Sequence, residues 1–252
     1  MEKYFDINEK GHSIRCKMFV NNARDINQVV VCGHGFAGHK DNKSTERFSE
    51  AVLSKYKDVA VISFDWPAHG KDVKKKLLLS DCDVYLDIVL EYIRAGLGIK
   101  DIKGYSNSFG AYVFMKYIYE HGNPFTKLVL RSPAVNIYDS MMNNIMKKQD
   151  LEIIDKGKTA EVGFDRKIGV GRDFLDEVAA FDIREKEYIE EFEKIMVFHG
   201  TADEIIPYEQ AKKFADDNLF EFVAIDNGDH RIQNYAAMGN VIKKTIEFLE
   251  LK

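Results

Sequence analysis

The feature that most constrains this chain is a set of six short apolar runs that alternate with amphipathic patterns. Residues 28–32 (QVVVC), 59–64 (VAVISF), 102–105, 127–130, 195–198 and 220–225 are mostly apolar, as strands buried on both faces require. Residues 45–56, 83–95, 109–121, 208–217 and 235–249 carry apolar side chains three and four apart, the spacing of a helix with one buried face. Such alternation builds right-handed crossovers and a mostly parallel sheet with helices on both faces, so the predicted fold class is α/β. Ahead of it, residues 3–7 and 13–19 alternate polar and apolar across the turn residues 8–11, which predicts an antiparallel hairpin.

One interval breaks the rhythm. About sixty residues separate the fourth run from the fifth, far more than a crossover needs, so residues 134–193 are expected to form an inserted cap on a single domain spanning 1–252. A helix over 139–149 and a glycine-punctuated stretch, 163–171, are its predicted parts. In that helix Met141, Met142, Ile145 and Met146 share a face, which either packs the cap onto the body or, with Tyr138, meets substrate.

Composition narrows the partners. With 45% hydrophobic and 31% charged residues the chain can bury a core and stay in solution, which excludes disorder. Its 36 basic and 41 acidic residues leave a charge of −5, and the run Lys74, Lys75, Lys76 is its longest basic cluster. No nucleic-acid or anionic-membrane footprint is expected. The first ten residues lack the apolar stretch of a secretory signal, and no segment reaches the roughly 18 apolar residues of a membrane span, so a cytoplasmic location is expected. Cys16, Cys32 and Cys82 form no CxxC pair and suit reduced core positions. No HExxH, GxGxxG or Walker pattern occurs, so no metal or cofactor is expected.

In a parallel sheet, chemistry gathers just beyond the carboxyl ends of the strands. Three such ends carry reactive residues. After residues 102–105 comes Ser106-Asn107-Ser108-Phe109-Gly110-Ala111, leading into a helical pattern. A nucleophile on a sharp strand-to-helix turn needs small residues two before and two after it, which Ser106 and Gly110 supply for Ser108. Centring on Ser106 is less apt, and Ser108 alone also reads as a helix N-cap. Asp203 follows the fifth run and His230 the sixth; alone, each also reads as a turn or surface residue. Together, serine, acid and histidine stand in the order of an α/β-hydrolase triad, with 27 residues between acid and histidine, room for one helix and one strand. An HG dipeptide after the first run turns the chain so that a following amide can face the nucleophile.

HGFAGHK (34–40), FDWPAHG (64–70), SNSFGA (106–111), HGTADEIIP (199–207) and NGDH (227–230) occur in one order. With them the sequence resembles the α/β-hydrolase superfamily of serine hydrolases over nearly its whole length, and within it the small bacterial carboxylesterases related to cinnamoyl or feruloyl esterases and monoacylglycerol lipases. The resemblance implies the α/β-hydrolase fold, with Ser108 as nucleophile, His230 as base and Asp203 as its partner. It also implies an oxyanion hole from the backbone N–H groups of Phe36 and Phe109. Departures are Ser106 in place of the usual glycine and Arg231 after the histidine. The expected partner is a small-molecule ester, with His39, Tyr138, Met142 and Met146 as candidate substrate contacts and a homodimer left open. Thioesterase, peptidase and acyltransferase chemistry use the same triad, and the fold also serves non-catalytic ligand binding.

Overall fold

The computed structural model describes residues 1–22, 26–72 and 74–252. In chain order its strands are β1 (Glu2–Glu9), β2 (His12–Val20), β3 (Gln28–Gly33), β4 (Val59–Phe64), β5 (Asp101–Asn107) and β6 (Lys127–Arg131). A small ribbon follows, β7 (Ala160–Val162) and β8 (Ile168–Val170), then β9 (Ile195–Gly200) and β10 (Glu221–Ile225). The main sheet has eight strands in the order β1-β2-β4-β3-β5-β6-β9-β10. β1 and β2 pair antiparallel, as β2 does with β4, and every other pairing in this sheet is parallel. The leading hairpin turns at Lys10 and Gly11, both at positive φ, the backbone that matches right-handed strand twist in a two-residue loop.

Helices cover both faces. α1 (Lys43–Lys55) joins β3 to β4, α2 (Leu79–Glu91) joins β4 to β5, and α3 (Phe109–His121) joins β5 to β6. Between β6 and β9 lie α4 (Ile137–Ser140), α5 (Lys148–Asp155) and α6 (Arg172–Ala180); α7 (Tyr208–Asp217) and α8 (Tyr235–Phe248) complete the chain. Alternation along β3 shows how one strand serves two cores. Val30 and Cys32 pack with Phe48 and Val52 of α1 and Val241 and Ile242 of α8. Val29 and Val31 face the opposite core, with Leu86 and Val89 of α2 and Phe114 of α3. Burying each such side chain contributes roughly 1.5–3 kcal/mol. The three cysteines are free and buried.

Two expectations are corrected. Residues 220–225 were predicted to be buried on both faces, yet β10 is the sheet's edge strand and none of its residues is fully buried. With a neighbour strand on one side only, Phe222, Val223 and Ile225 pack against the two cores yet stay partly exposed. The helix expected over 139–149 is instead α4, a single π turn (Met141–Ile145) and a break at the extended Met146 and Lys147 before α5 starts. Asn143 and Asn144, poor helix formers, sit within the π turn just before that break. The stretch 163–171 lies within the intervening segment, where it forms the ribbon's loop and β8.

The segment between β6 and β9 shares its apolar interior with the body: Val170, Phe174, Leu175 and Val178 belong to the same core as α2 and α3. The Glu177 carboxylate accepts from the Leu79 N–H and the Ser80 hydroxyl at the start of α2. Among the described residues no helix is long and apolar enough to cross a membrane.

Candidate active site

Ser108 stands at the junction of β5 and α3 with φ 51° and ψ −119°, a strained backbone for a residue with a Cβ. Its surroundings fix it there. The Ser108 N–H donates to the Arg131 carbonyl at 3.1 Å, and its own carbonyl accepts from Tyr112 and Ala134. The strand and helix backbones approach so closely that a Cβ on Gly110 would lie 2.6 Å from the His34 carbonyl oxygen. Ser106, the competing serine, is buried and its hydroxyl donates to the Gly33 carbonyl at 3.0 Å, which leaves Ser108 as the serine that faces the histidine.

His230 Nε2 lies 2.9 Å from Ser108 Oγ, and its Nδ1 lies 2.8 Å from Asp203 Oδ2. Asp203 is fully buried at its side chain. Its Oδ1 accepts from the Ile205 and Ile206 amides, and its Oδ2 meets His199 Nε2 at 3.1 Å. Burial alone would raise this carboxyl's pKa, but hydrogen bonds from His199 and His230 hold it well below the usual carboxylate range. The acid and histidine loops are joined through backbone: Thr201 N–H donates to the Ile225 carbonyl and Ala202 N–H to the Gly228 carbonyl.

Across from His230, Gly35 passes close to the nucleophile; a Cβ there would lie 2.9 Å from Asn107 Nδ2 and 3.2 Å from Ser108 Cβ. Neither the Phe36 nor the Phe109 amide is spent on a turn or loop carbonyl among the described residues. FDWPAHG braces this loop. The fully buried Asp65 accepts from the Lys40 N–H at 2.7 Å, and Trp66 Nε1–H donates to the His34 carbonyl at 2.9 Å. His34 and His69, both buried, have pKa values pushed down to about 3 by desolvation and are neutral near pH 7.

A cavity of about 420 Å³ opens over Ser108 and His230, lined on its apolar side by Phe36, Ala37, Ile145, Phe164 and Ile205. A hydroxyl, an imidazole and a buried carboxylate in hydrogen-bonded series can shift the hydroxyl proton onto the imidazole while the carboxylate balances the charge formed. Among the described residues no three His, Cys, Asp or Glu side chains converge as metal ligands do.

The structure thus brings Ser108, His230, Asp203, Phe36, Phe109 and Gly35 together, and His39 lines the same cavity. It does not bring Tyr138, Met142 or Met146 there. Tyr138 lines a separate cavity of about 80 Å³ beside Asp182 and Arg184, Met146 is buried, and Met142 packs against the core. For Met142 and Met146 the π turn is the reason: its wider step changes the side-chain register, so Ile145 alone of that stripe reaches the cavity. None of the eight acidic residues over 176–193 lines it. Sequence reasoning missed Phe164, Arg131 and Arg166 as cavity residues and His199 as a partner of Asp203. Arg131 carried a signal, a charged residue closing the otherwise apolar run LVLR.

No protein-family model matches the sequence, and no curated protein is significantly similar to it. Solved structures are similar in fold. The ferulic-acid-bound Est1E of Butyrivibrio proteoclasticus superposes with a TM-score of 0.79 at 18% identity, covering 97% of both chains. The esterase Pf2001 of Pyrococcus furiosus gives 0.73 at 17% identity over 99% of this chain and 92% of its own. XC6422 of Xanthomonas campestris, described as an α/β serine hydrolase without a lid, gives 0.66 at 12% identity over 98% and 93%. The chain has the α/β-hydrolase fold.

Proposed function

We propose that this protein is a serine hydrolase that cleaves carboxylic esters, of short-chain or hydroxycinnamate type, through an acyl-serine intermediate. The observation that carries this reading is the unbroken series Ser108 Oγ, His230, Asp203, opening on the cavity. Free serine is a weak nucleophile at neutral pH, so His230 takes its proton as Oγ attacks the ester carbonyl, then returns it to the departing alcohol. Asp203, kept ionised by its two histidines and two amides, fixes the imidazole tautomer and offsets the charge on the imidazolium. Amides of Phe36 and Phe109 meet the negative carbonyl oxygen of the tetrahedral intermediate, each worth about 3 kcal/mol in the transition state. Water then releases the acyl group by the same steps in reverse roles. The esterase and serine-hydrolase names of the structural neighbours agree with this reading.

A fluorophosphonate probe and p-nitrophenyl acetate test it together. Expected are labelling of the intact protein, none in Ser108→Ala, and turnover in that variant lower by about 10⁴-fold or more. Labelling and turnover that persist in Ser108→Ala overturn the assignment, while Ser106→Ala is expected to keep being labelled. An intact protein that neither labels nor turns over esters favours a ligand-binding role on the same fold.

A further inference from the structure

The cavity over Ser108 carries charge that ester hydrolysis does not itself use. Four cations line it, Lys43, Arg131, Arg166 and Arg231, against one carboxylate, Asp165. That is an excess of three positive charges within a chain whose formal charge is −5. None of these five residues takes part in an ion pair among the described residues, although surface ion pairs are common elsewhere on the molecule. The nearby Asp203 charge is already committed to His230 and His199. Glu204, beside the cavity, reaches the His230 N–H rather than an arginine.

Arg131 is the most telling of the four. It ends β6 with 6% of its surface exposed. One guanidinium nitrogen, Nη1, donates to the Arg231 carbonyl at 2.7 Å, while its Nε–H is buried and makes no well-formed hydrogen bond. The buried Tyr105 hydroxyl lies beside Arg131 and the Ser44 hydroxyl, so the groups around the guanidinium are neutral. A guanidinium withdrawn from water with no carboxylate beside it is destabilising for folding alone. At the wall of an active-site cavity, such a group makes sense when the missing negative charge arrives with a ligand.

Resting on the reading of Ser108 as nucleophile, we infer that the substrates of this site bear a carboxylate in addition to the scissile ester. Arg131 meets it from the wall, Arg166, Arg231 and Lys43 draw it in at the mouth, and Phe36 and Phe164 take the apolar body between the two groups. Planar guanidinium groups suit a carboxylate because two N–H donors match its two oxygens. A cationic funnel also raises the encounter rate with anions and weakens as salt is added.

Two matched ester pairs test this, each differing in charge and little in shape. One places the charge on the leaving group, 4-acetoxybenzoate against 4-acetoxybenzamide. The other places it on the acyl chain, p-nitrophenyl hydrogen adipate against p-nitrophenyl hexanoate. Expected is a kcat/KM about tenfold or more in favour of the charged ester in at least one pair at low salt. That ratio should shrink in 0.5 M NaCl and in Arg166→Gln and Arg231→Gln, variants at exposed positions where folding is easily verified by thermal melting. If the neutral esters are turned over as well as the charged ones in both pairs, the inference falls and the serine-hydrolase reading stands. Calorimetry on Ser108→Ala with 4-hydroxybenzoate and 4-hydroxybenzamide decides the matter even if no ester is turned over. Salt-sensitive binding of the acid alone, weakened in Arg231→Gln, supports the anion site, and equal binding or none overturns it.

Discussion

The carboxyl edge of the sheet and the segment between β6 and β9 both wall the cavity, but they are held by different means. At the edge, main chain holds main chain: Ser108 to Arg131, Thr201 to Ile225 and Ala202 to Gly228 are bonds between backbone groups from separate loops. The intervening segment is attached largely through side chains: Glu177 to the start of α2, the Tyr112 hydroxyl to the Phe181 carbonyl, and Asn144 to the Ile205 carbonyl. Several of its further ties, such as Lys76 with Asp173, are exposed ion pairs worth little in water. The hydrogen-bonded series is thus held in place by backbone, while the segment that completes the cavity wall is held largely by replaceable side chains.

The sharpest way to break this contrast is at Asp203. Asp203→Asn removes the charge that balances the His230 imidazolium and offers the ring an amide in place of an acceptor. The expected loss in kcat is about 10⁴-fold, measured on a p-nitrophenyl ester, with a fold that stays intact near neutral pH but melts somewhat earlier because the charge-assisted bonds to His199 and His230 are lost. A loss below tenfold would mean that His230 takes its orientation from elsewhere.

Next in size is a pair of stability changes. A Cβ at position 200 would lie 2.1 Å from the Gly228 carbonyl oxygen, a backbone atom that cannot swing aside. Gly200→Ala is therefore expected to cost about 3 kcal/mol or more by urea unfolding and to reduce turnover by displacing the histidine loop. Glu177→Ala in the other region leaves two donors at the start of α2 that solvent can partly satisfy, and should cost about 1–2 kcal/mol with turnover retained. Equal costs in the two variants would erase the distinction between the regions.

The same distinction governs what could be read from sequence. Parallel strands buried on both faces leave uniform apolar runs, and a nucleophile turn tolerates few residue types, so five of the six runs and the positions of Ser108, Asp203 and His230 were legible. β10 was misread because a run such as Phe220-Glu221-Phe222-Val223 reads alike inside a sheet and at its edge, and only topology decides. Met142 and Met146 were misplaced because a π turn shifts the register within one step, a change that apolar spacing does not encode. Arg131 and Arg166 meet at one cavity only through tertiary structure, being separated by most of the intervening segment.

Acid should test the edge further. His34 and His69 are held neutral, with pKa values pushed down to about 3, whereas in the unfolded chain they take protons near pH 6.5. Because the unfolded state binds the extra protons, stability is whole above pH 6.5 and is lost as pH falls toward 3. At pH 5.5 each histidine should cost about 1.4 kcal/mol relative to pH 7.5, read from urea midpoints. The depressed Asp203 carboxyl acts in the same direction below about pH 4. His69→Gln, which cannot titrate, should remove about half of the loss between pH 7.5 and 5.5, and an unchanged slope would place the sensitivity elsewhere.

The smallest expected effect tests the segment itself. Ile145 reaches the cavity while Tyr138, seven residues earlier and outside it, points to the smaller cavity beside Arg184. Ile145→Ala should alter the preference between short and longer acyl chains by about 10-fold, the scale set by removing a few methyl groups from an apolar pocket. Tyr138→Ala should leave that preference within twofold, since the residue is 39% exposed and lines other space. A chain-length series of p-nitrophenyl esters on both variants reads the two effects side by side. If Tyr138→Ala shifts the preference and Ile145→Ala does not, chain-length preference is set at the smaller cavity beside Arg184 and not at the one over Ser108.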